Sequence, residues 1–462
     1  MTAFWCERAV VDGVPRGGVR IVSESGVVAA VEPGADPRPG DHLLGTVAPG
    51  FANAHSHLFH RALRGRTHGD GGDFWRWRDE MYAVAGVLDP SLYRSLARAV
   101  FSEMVAAGYT AVGEFHYVHH RPGGEPYGVD PHDGAHDREP EHAMERAVAD
   151  AAADAGIRLT LLDTLYLGAG IGRGLDPDQR RFGDRGAAGW LERWHRLRTT
   201  LADRPGLLLG AAIHSVRAVP EREIAALVAG LPAEVPLHIH LSEQPRENEE
   251  CLAATGLTPT GLLARAGALS DRLSVVHATH LTEGDHELLG AAGVAVVMCP
   301  STEADLGDGI GPARALADRG ASLAVGSDQN AVVDPMLELR GLEAGERLNR
   351  GRRGVLSPAE LWRAGTVDGY ASLGWHGGIR VGAVCDLVEI EAASMRTLGA
   401  PLEALPLVAT AADVLRTVVG GRVIDTGITE ALLAQALGAL DAARSAATPS
   451  SSDLPTRGRR DA

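Results

Sequence analysis

Two histidines one residue apart, His55 and His57, close the run Pro49-Gly50-Phe51-Ala52-Asn53-Ala54-His55-Ser56-His57. On a β-strand alternate side chains share a face, so both imidazoles can reach one metal ion. A second such pair lies in Leu237-His238-Ile239-His240-Leu241-Ser242-Glu243. His240, nearer the strand end, is the expected third ligand. Glu243 then places a carboxylic acid beside the metal without joining it. Asp328, after the apolar run that ends in Val325-Gly326-Ser327, is the expected fourth ligand and can also take a proton from water. Three imidazoles and one carboxylate suit zinc or a similar divalent ion, with a place for water if the coordination expands to five.

His277 ends the next apolar run, Val275-Val276-His277, and is placed to orient the nucleophile and stabilise a tetrahedral intermediate. His280 reads as a supporting or surface residue. Hydroxide formed beside Asp328 and Glu243 suits attack on a C=N carbon. Asp328 takes the proton. Glu243, kept protonated by dry surroundings, gives one to the nitrogen, and ammonia leaves. The other zinc deaminase design, H-x-E with P-C-x-x-C, is absent from the sequence. Taken singly, a helix-capping Asp or a hydrogen-bonded His pair is the plainer account of each motif. Their occurrence in order, each at the end of an apolar run, favours a site.

Such residues need strand ends to hold them. Apolar strand-like runs fall at 46–57, 109–117, 159–167, 207–214, 235–241, 273–277, 294–298 and 323–326. Helix-period segments lie between them, as at 92–107, 142–155, 190–201 and 260–266. Eight strand-helix units match an α/β fold, a (β/α)8 TIM-type barrel with its site at the strand C-terminal ends. An open doubly wound sheet is the alternative, but no GxGxxG follows an early strand. Residues 1–46 and 382–427 read as the two parts of a small β-sandwich domain built from both chain ends, with the barrel over 47–381. A helix and a disordered tail are expected over 428–462. The loops at 68–74 and 121–138, just past strand ends, are expected to cover or line the site.

The chain has 462 residues and a formal charge of −16, which disfavours nucleic acid or an anionic membrane as partner. All 44 basic residues are arginine. A carboxylated lysine bridging two metals is therefore excluded, which favours one ion. The four cysteines, Cys6, Cys251, Cys299 and Cys385, form no CxxC, as suits a reducing compartment. With neither a signal-like start nor a run of about 18 apolar residues, the cytoplasm is the default expectation.

These residues resemble the amidohydrolase superfamily in its mononuclear deaminase branch, through His55-x-His57, His240-x-x-Glu243, His277 and Asp328. More narrowly, the chain is similar to the N-formimino-L-glutamate deiminase family of histidine degradation. That likeness is carried by Phe74-Trp75-Arg76-Trp77-Arg78-Asp79-Glu80-Met81-Tyr82, Gly113-Glu114-Phe115-His116-Tyr117-Val118-His119-His120 and His214-Ser215-Val216-Arg217-Ala218-Val219. His238 to Gln244 and Cys299 to Gly309 add to it. It covers nearly the whole chain except the tail. The resemblance implies hydrolysis of N-formimino-L-glutamate to N-formyl-L-glutamate and ammonia, by water activated on one divalent ion, zinc first. It also implies a homodimer.

A small-molecule dicarboxylate substrate wants two cationic anchors, and arginine forks fit carboxylates. The resemblance points to Arg78 and Arg217, with Tyr117 and His214 as hydrogen-bond partners. The chain departs from the family at His60, where Gln is usual. Histidine keeps a donor with different reach and charge, so His60 is expected to retain a binding role and to affect substrate preference. The competing expectations are a related deaminase acting on a heterocycle such as guanine, and a non-catalytic barrel scaffold.

Overall fold

The computed structural model describes residues 1–68, 74–128 and 139–447. Most of the two loops expected over the site, and the tail from Thr448, lie outside the described residues. Eight parallel strands form the barrel: β5 (Phe51–Ser56), β6 (Tyr109–His116), β7 (Arg158–Leu165), β8 (Leu207–Ile213), β9 (Leu237–Leu241), β10 (Leu273–His277), β11 (Ala295–Met298) and β12 (Ser322–Val325). They pair in sequence order. The ring closes where Ser56 bridges Asp328: His57 N donates to Asp328 O and Asp328 N to His55 O, each at 2.9 Å. That closure sets expected ligands from the first barrel strand and from just past the last one side by side.

The strands preceding the barrel are β1 (Thr2–Val11), β2 (Val14–Glu24), β3 (Val27–Pro33) and β4 (His42–Pro49); those following it are β13 (Leu387–Ile390), β14 (Val414–Val419) and β15 (Arg422–Val423). They make one seven-stranded mixed sheet in the order β15-β14-β13-β4-β1-β2-β3. A bridge from Val27 to Val384 brings the far edge back beside the start of β13. The sheet thus curls around its own core of Phe4, Cys6, Val19, Ile21, Leu44, Val47, Cys385 and Leu387. The pairing of the two chain ends occurs between β4 and β13.

The run expected as one strand, 46–57, is broken at Gly50, where the chain leaves the small sheet and enters the barrel. The crossing is made on a glycine for a steric reason. A Cβ on Gly50 would lie 2.1 Å from Thr110 Oγ1. That hydroxyl is committed to Phe51 O at 3.1 Å and to Tyr370 OH at 2.5 Å, so it has little room to yield. Gly50→Ala is expected to destabilise the protein by about 3 kcal/mol, read as a lower Tm. A wild-type melting curve would contradict this account of the crossing.

Two helices follow β5, α1 (Phe74–Val87) and α2 (Pro90–Ala106). Asp89 caps α2 by accepting Leu92 N, with Pro90 at its first turn. The helix Thr429–Ala447 packs on this pair, with Asp441 paired to Arg66 at 2.5 Å and Arg444 paired to Glu80. The helix that carries Arg78 is thus braced from the chain's C-terminal end. No helix among the described residues is long and apolar enough to cross a membrane.

Candidate active site

At the C-terminal mouth of the barrel the Nε2 atoms of three histidines converge. His240 Nε2 lies 3.1 Å from His55 Nε2 and 3.3 Å from His57 Nε2. Asp328 Oδ1 sits 3.4 Å from His55 Nε2 and 3.5 Å from His57 Nε2. The ring partners show that this cluster fits a cation. His57 Nδ1 faces Phe115 O at 3.1 Å and His240 Nδ1 faces His214 O at 3.0 Å. A carbonyl only accepts, so each Nδ1 carries the proton and each neutral ring turns a bare Nε2 lone pair inward. Two lone pairs at 3.3 Å repel unless a cation lies between them. Burial holds all three rings neutral by pushing their pKa values down, His57 to about 3, and like neighbours add to it. Neutral imidazoles and a carboxylate are the donor set of a divalent metal site.

The backbone turns these groups inward at some cost. Ser242, His277, Ala278, Asp328 and Asn330 all have φ between 41° and 70°. Most non-glycine residues avoid this left-handed region, Asp and Asn least, and an instance at another residue costs on the order of 1–3 kcal/mol. Hydrogen bonds hold the strained turns. Asn53 Nδ2 donates to Ser327 Oγ at 2.6 Å, and Ser327 N donates back to Asn53 Oδ1 at 2.9 Å. Asn330 Nδ2 donates to His57 O at 3.0 Å. Glu114, its pKa pushed up to about 8 by burial, accepts Leu58 N at 2.9 Å just past the His-x-His pair.

His277 lies beside the metal cluster. Its Nδ1 donates to Glu303 Oε1 at 3.4 Å, which leaves Nε2 facing Glu243 Oε1 and Asp328 Oδ2, each at 3.9 Å. Burial opposes a charge on this ring, but Glu243, Glu303 and Asp328 outweigh it and raise the pKa to about 10. Glu243, expected from sequence to sit in dry surroundings, has a guanidinium beside it. Arg217 Nη2 donates to its Oε2 at 3.2 Å, and Arg217 Nε lies 3.6 Å from Glu247, which is fully buried.

The site opens onto a cavity of about 860 Å³. Its wall includes His60, Trp77, Arg78, Tyr82, Tyr117, Tyr166, His214, Arg217, Glu243, His277 and Asp328. His60 Nε2 lies 3.0 Å from Tyr117 OH. Arg78 Nε donates to Tyr82 OH at 3.0 Å.

An amidohydrolase family model matches residues 46–424, which spans the barrel and the return into the small sheet. The chain belongs to the amidohydrolase family. It is 36% identical over 407 residues to a formimidoylglutamate deiminase of Pseudomonas aeruginosa, covering 85% of this chain and 86% of the relative. It is 28% identical to a 5-methylthioadenosine/S-adenosylhomocysteine deaminase of Halobacterium salinarum, covering 89% of each. Among solved structures, an amidohydrolase from Brucella melitensis superposes with a TM-score of 0.86 at 30% identity, over 95% of this chain and all of that one. An adenosine deaminase from Xanthomonas campestris with bound zinc shares the fold, with a TM-score of 0.79 at 23% identity over 96% of this chain and 98% of that one. This amidohydrolase is a metal-dependent hydrolytic deaminase.

The structure brings His57, His60, Arg78, Tyr117, His214, Arg217, His240, Glu243, His277 and Asp328 from the amidohydrolase's sequence to this cavity, with His55 behind them against His240. His238 lies deeper and donates through Nε2 to Ser372 O at 2.9 Å, so His240 is the member of that pair at the metal cluster. His280 donates to Asp308 O at 2.8 Å and braces a loop. Trp77, Tyr82, Tyr166, Glu247 and Glu303 were not picked out as site residues. The run from Phe74 to Tyr82 held the signal for two of them; Tyr166, just past the end of β7, could have been found by asking which polar side chains follow each strand. A second buried group, His116, His119 and Glu145, has metal-like spacing. There His119 spends one nitrogen on Glu145 at 2.9 Å and the other on Thr164 O at 2.9 Å, within an ionic network centred on Arg193. It ties β6 to β7 behind Tyr117.

Proposed function

We propose that the enzyme hydrolyses N-formimino-L-glutamate to N-formyl-L-glutamate and ammonia, the reaction of a step in histidine degradation. The observation that carries this reading is the presence of Arg78 and Arg217 on the wall of the cavity that also opens onto His57, His240, His277 and Asp328. Two guanidinium groups suit the two carboxylates of such a substrate. The relative in Pseudomonas aeruginosa, named for this activity, supports it.

His55, His57, His240 and Asp328 would hold one divalent ion, zinc by the preference of a three-nitrogen, one-oxygen set. When bound, such an ion makes water a competent nucleophile near neutral pH. Arg78 and Arg217 grip the carboxylates and aim the formimino carbon at that water. Asp328 accepts the proton the water gives up. His277, fixed through Nδ1 by Glu303, presents Nε2–H to the oxygen as charge develops on it. The departing nitrogen takes both of the water's protons, one handed on from Asp328 and the other relayed by Glu243 from the new hydroxyl; the new C–O bond replaces the C–N bond, and ammonia leaves.

The test is ammonia release from formiminoglutamate against a panel of purines and pyrimidines. Selective turnover of formiminoglutamate is expected; selective turnover of a ring would overturn the assignment and leave the deaminase chemistry standing. His60→Ala is expected to raise KM about tenfold by removing a polar group at the substrate end of the cavity. An unaltered KM would remove His60 from the binding site.

A further inference from the structure

One wall of the cavity carries a chain of hydrogen bonds whose direction is fixed from one end. Gln179 is fully buried in the short segment Pro177–Phe182, between β7 and the next helix. Its Oε1 accepts Asp176 N at 2.9 Å. The carbonyl end of the amide is therefore committed there, and the NH2 end faces the tyrosines. Nε2 donates to Tyr82 OH at 2.8 Å and to Tyr166 OH at 3.0 Å. Tyr82 OH also takes Arg78 Nε–H at 3.0 Å. Amide NH2 and guanidinium groups only donate, so each phenol is the acceptor in these bonds. The two phenols are hydrogen-bonded to each other; Tyr82, already accepting twice, gives its hydrogen to Tyr166, and the Tyr166 hydrogen is left for another partner. Both rings line the cavity, and that of Tyr166 lies 4.2 Å from His214, centroid to centroid.

We propose that Tyr166 is a further substrate-contacting residue, donating its phenolic O–H to a substrate carboxylate held by the arginines, and that Gln179 is the positioning residue that imposes this direction. The proposal rests on the dicarboxylate reading above. Burial and the neighbouring Tyr82 push the Tyr166 pKa up against Arg217 and Arg78, which keeps the hydrogen in place. A pocket that meets a carboxylate with a phenol donor as well as arginine forks discriminates against a neutral amidine of equal size. It also explains why a buried glutamine with no access to the cavity lies between two of its tyrosines.

The test is titration calorimetry of glutarate, a plain dicarboxylate, into metal-loaded wild type, Tyr166→Phe and Gln179→Glu. Tyr166→Phe removes one oxygen. Gln179→Glu keeps the size and the bond from Asp176 N but turns an acceptor toward both phenols, so the Tyr166 hydrogen swings away from the cavity. Both variants are expected to weaken glutarate about tenfold, with metal content and Tm near wild type. In turnover of formiminoglutamate the loss should fall on KM more than on kcat. A change in Kd below about threefold for Tyr166→Phe would overturn the proposal, as would wild-type binding by Gln179→Glu or no binding of glutarate by wild type. Should Gln179→Glu fail to fold, Tyr166→Phe decides alone. If glutarate binds with this dependence but formiminoglutamate yields no ammonia, the substrate assignment falls and the phenol donor stands.

Discussion

Replacing Asp328 with Asn is expected to lower kcat by about a thousandfold, with the barrel intact. The carboxylate has two tasks in the proposed chemistry. Its Oδ1 stands with His55 and His57 at the metal cluster, and its Oδ2 faces His277 Nε2. An amide fills the same space, but it is a poor metal donor and no proton acceptor. Asn suits the experiment better than Ala for a backbone reason. Asp328 has φ 41°, and Asn is among the few side chains that tolerate the left-handed region. The two backbone bonds to His55 and His57 that close the barrel remain available. Metal analysis and kcat should be measured on the same sample. A variant that keeps kcat within about tenfold of wild type would take Asp328 out of the proton transfer. Chelation of wild type should reach a similar floor and also lower Tm, because bound metal stabilises only the folded state.

Much of this fold was legible because barrel strands advertise themselves locally. A parallel strand buried on both faces is a short apolar run, and each run from Tyr109 to Val325 appeared as one. The candidate ligands were legible for the same reason: they are polar residues placed where such runs stop. Gly50 was not read as a break, since nothing within the run Thr46 to His57 shows that Thr110 lies against it. The strain at Ser242 and His277 was hidden because neither is glycine. Gln179 lies on no periodic face, and its meaning comes from Tyr82, nearly a hundred residues earlier. The pairing of Glu243 was missed because sequence does not show that Arg217 folds back onto it. The paired arginines came from resemblance, and charge spacing alone favoured solvated side chains there.

Arg217 is the residue whose removal should separate substrate binding from stability. Its guanidinium faces Glu243 and the buried Glu247 as well as the cavity. Arg217→Met is expected to lower kcat/KM about a hundredfold, the worth of a bidentate charged hydrogen bond. The same change strands Glu247. Burial already pushes that carboxyl's pKa up, and Arg217 is the group that pulls it back. Breaking one side of a buried pair costs about 3–5 kcal/mol, so the single variant should also melt early. Adding Glu247→Gln removes the stranded charge, and the double variant should recover most of the Tm. KM should stay high in the double variant, because no residue has replaced the carboxylate anchor. The part of the loss that appears in kcat belongs to Glu243, which has lost its Nη2 partner. If the double variant regains KM together with Tm, Arg217 serves to balance Glu247 and the dicarboxylate assignment loses one of its two anchors.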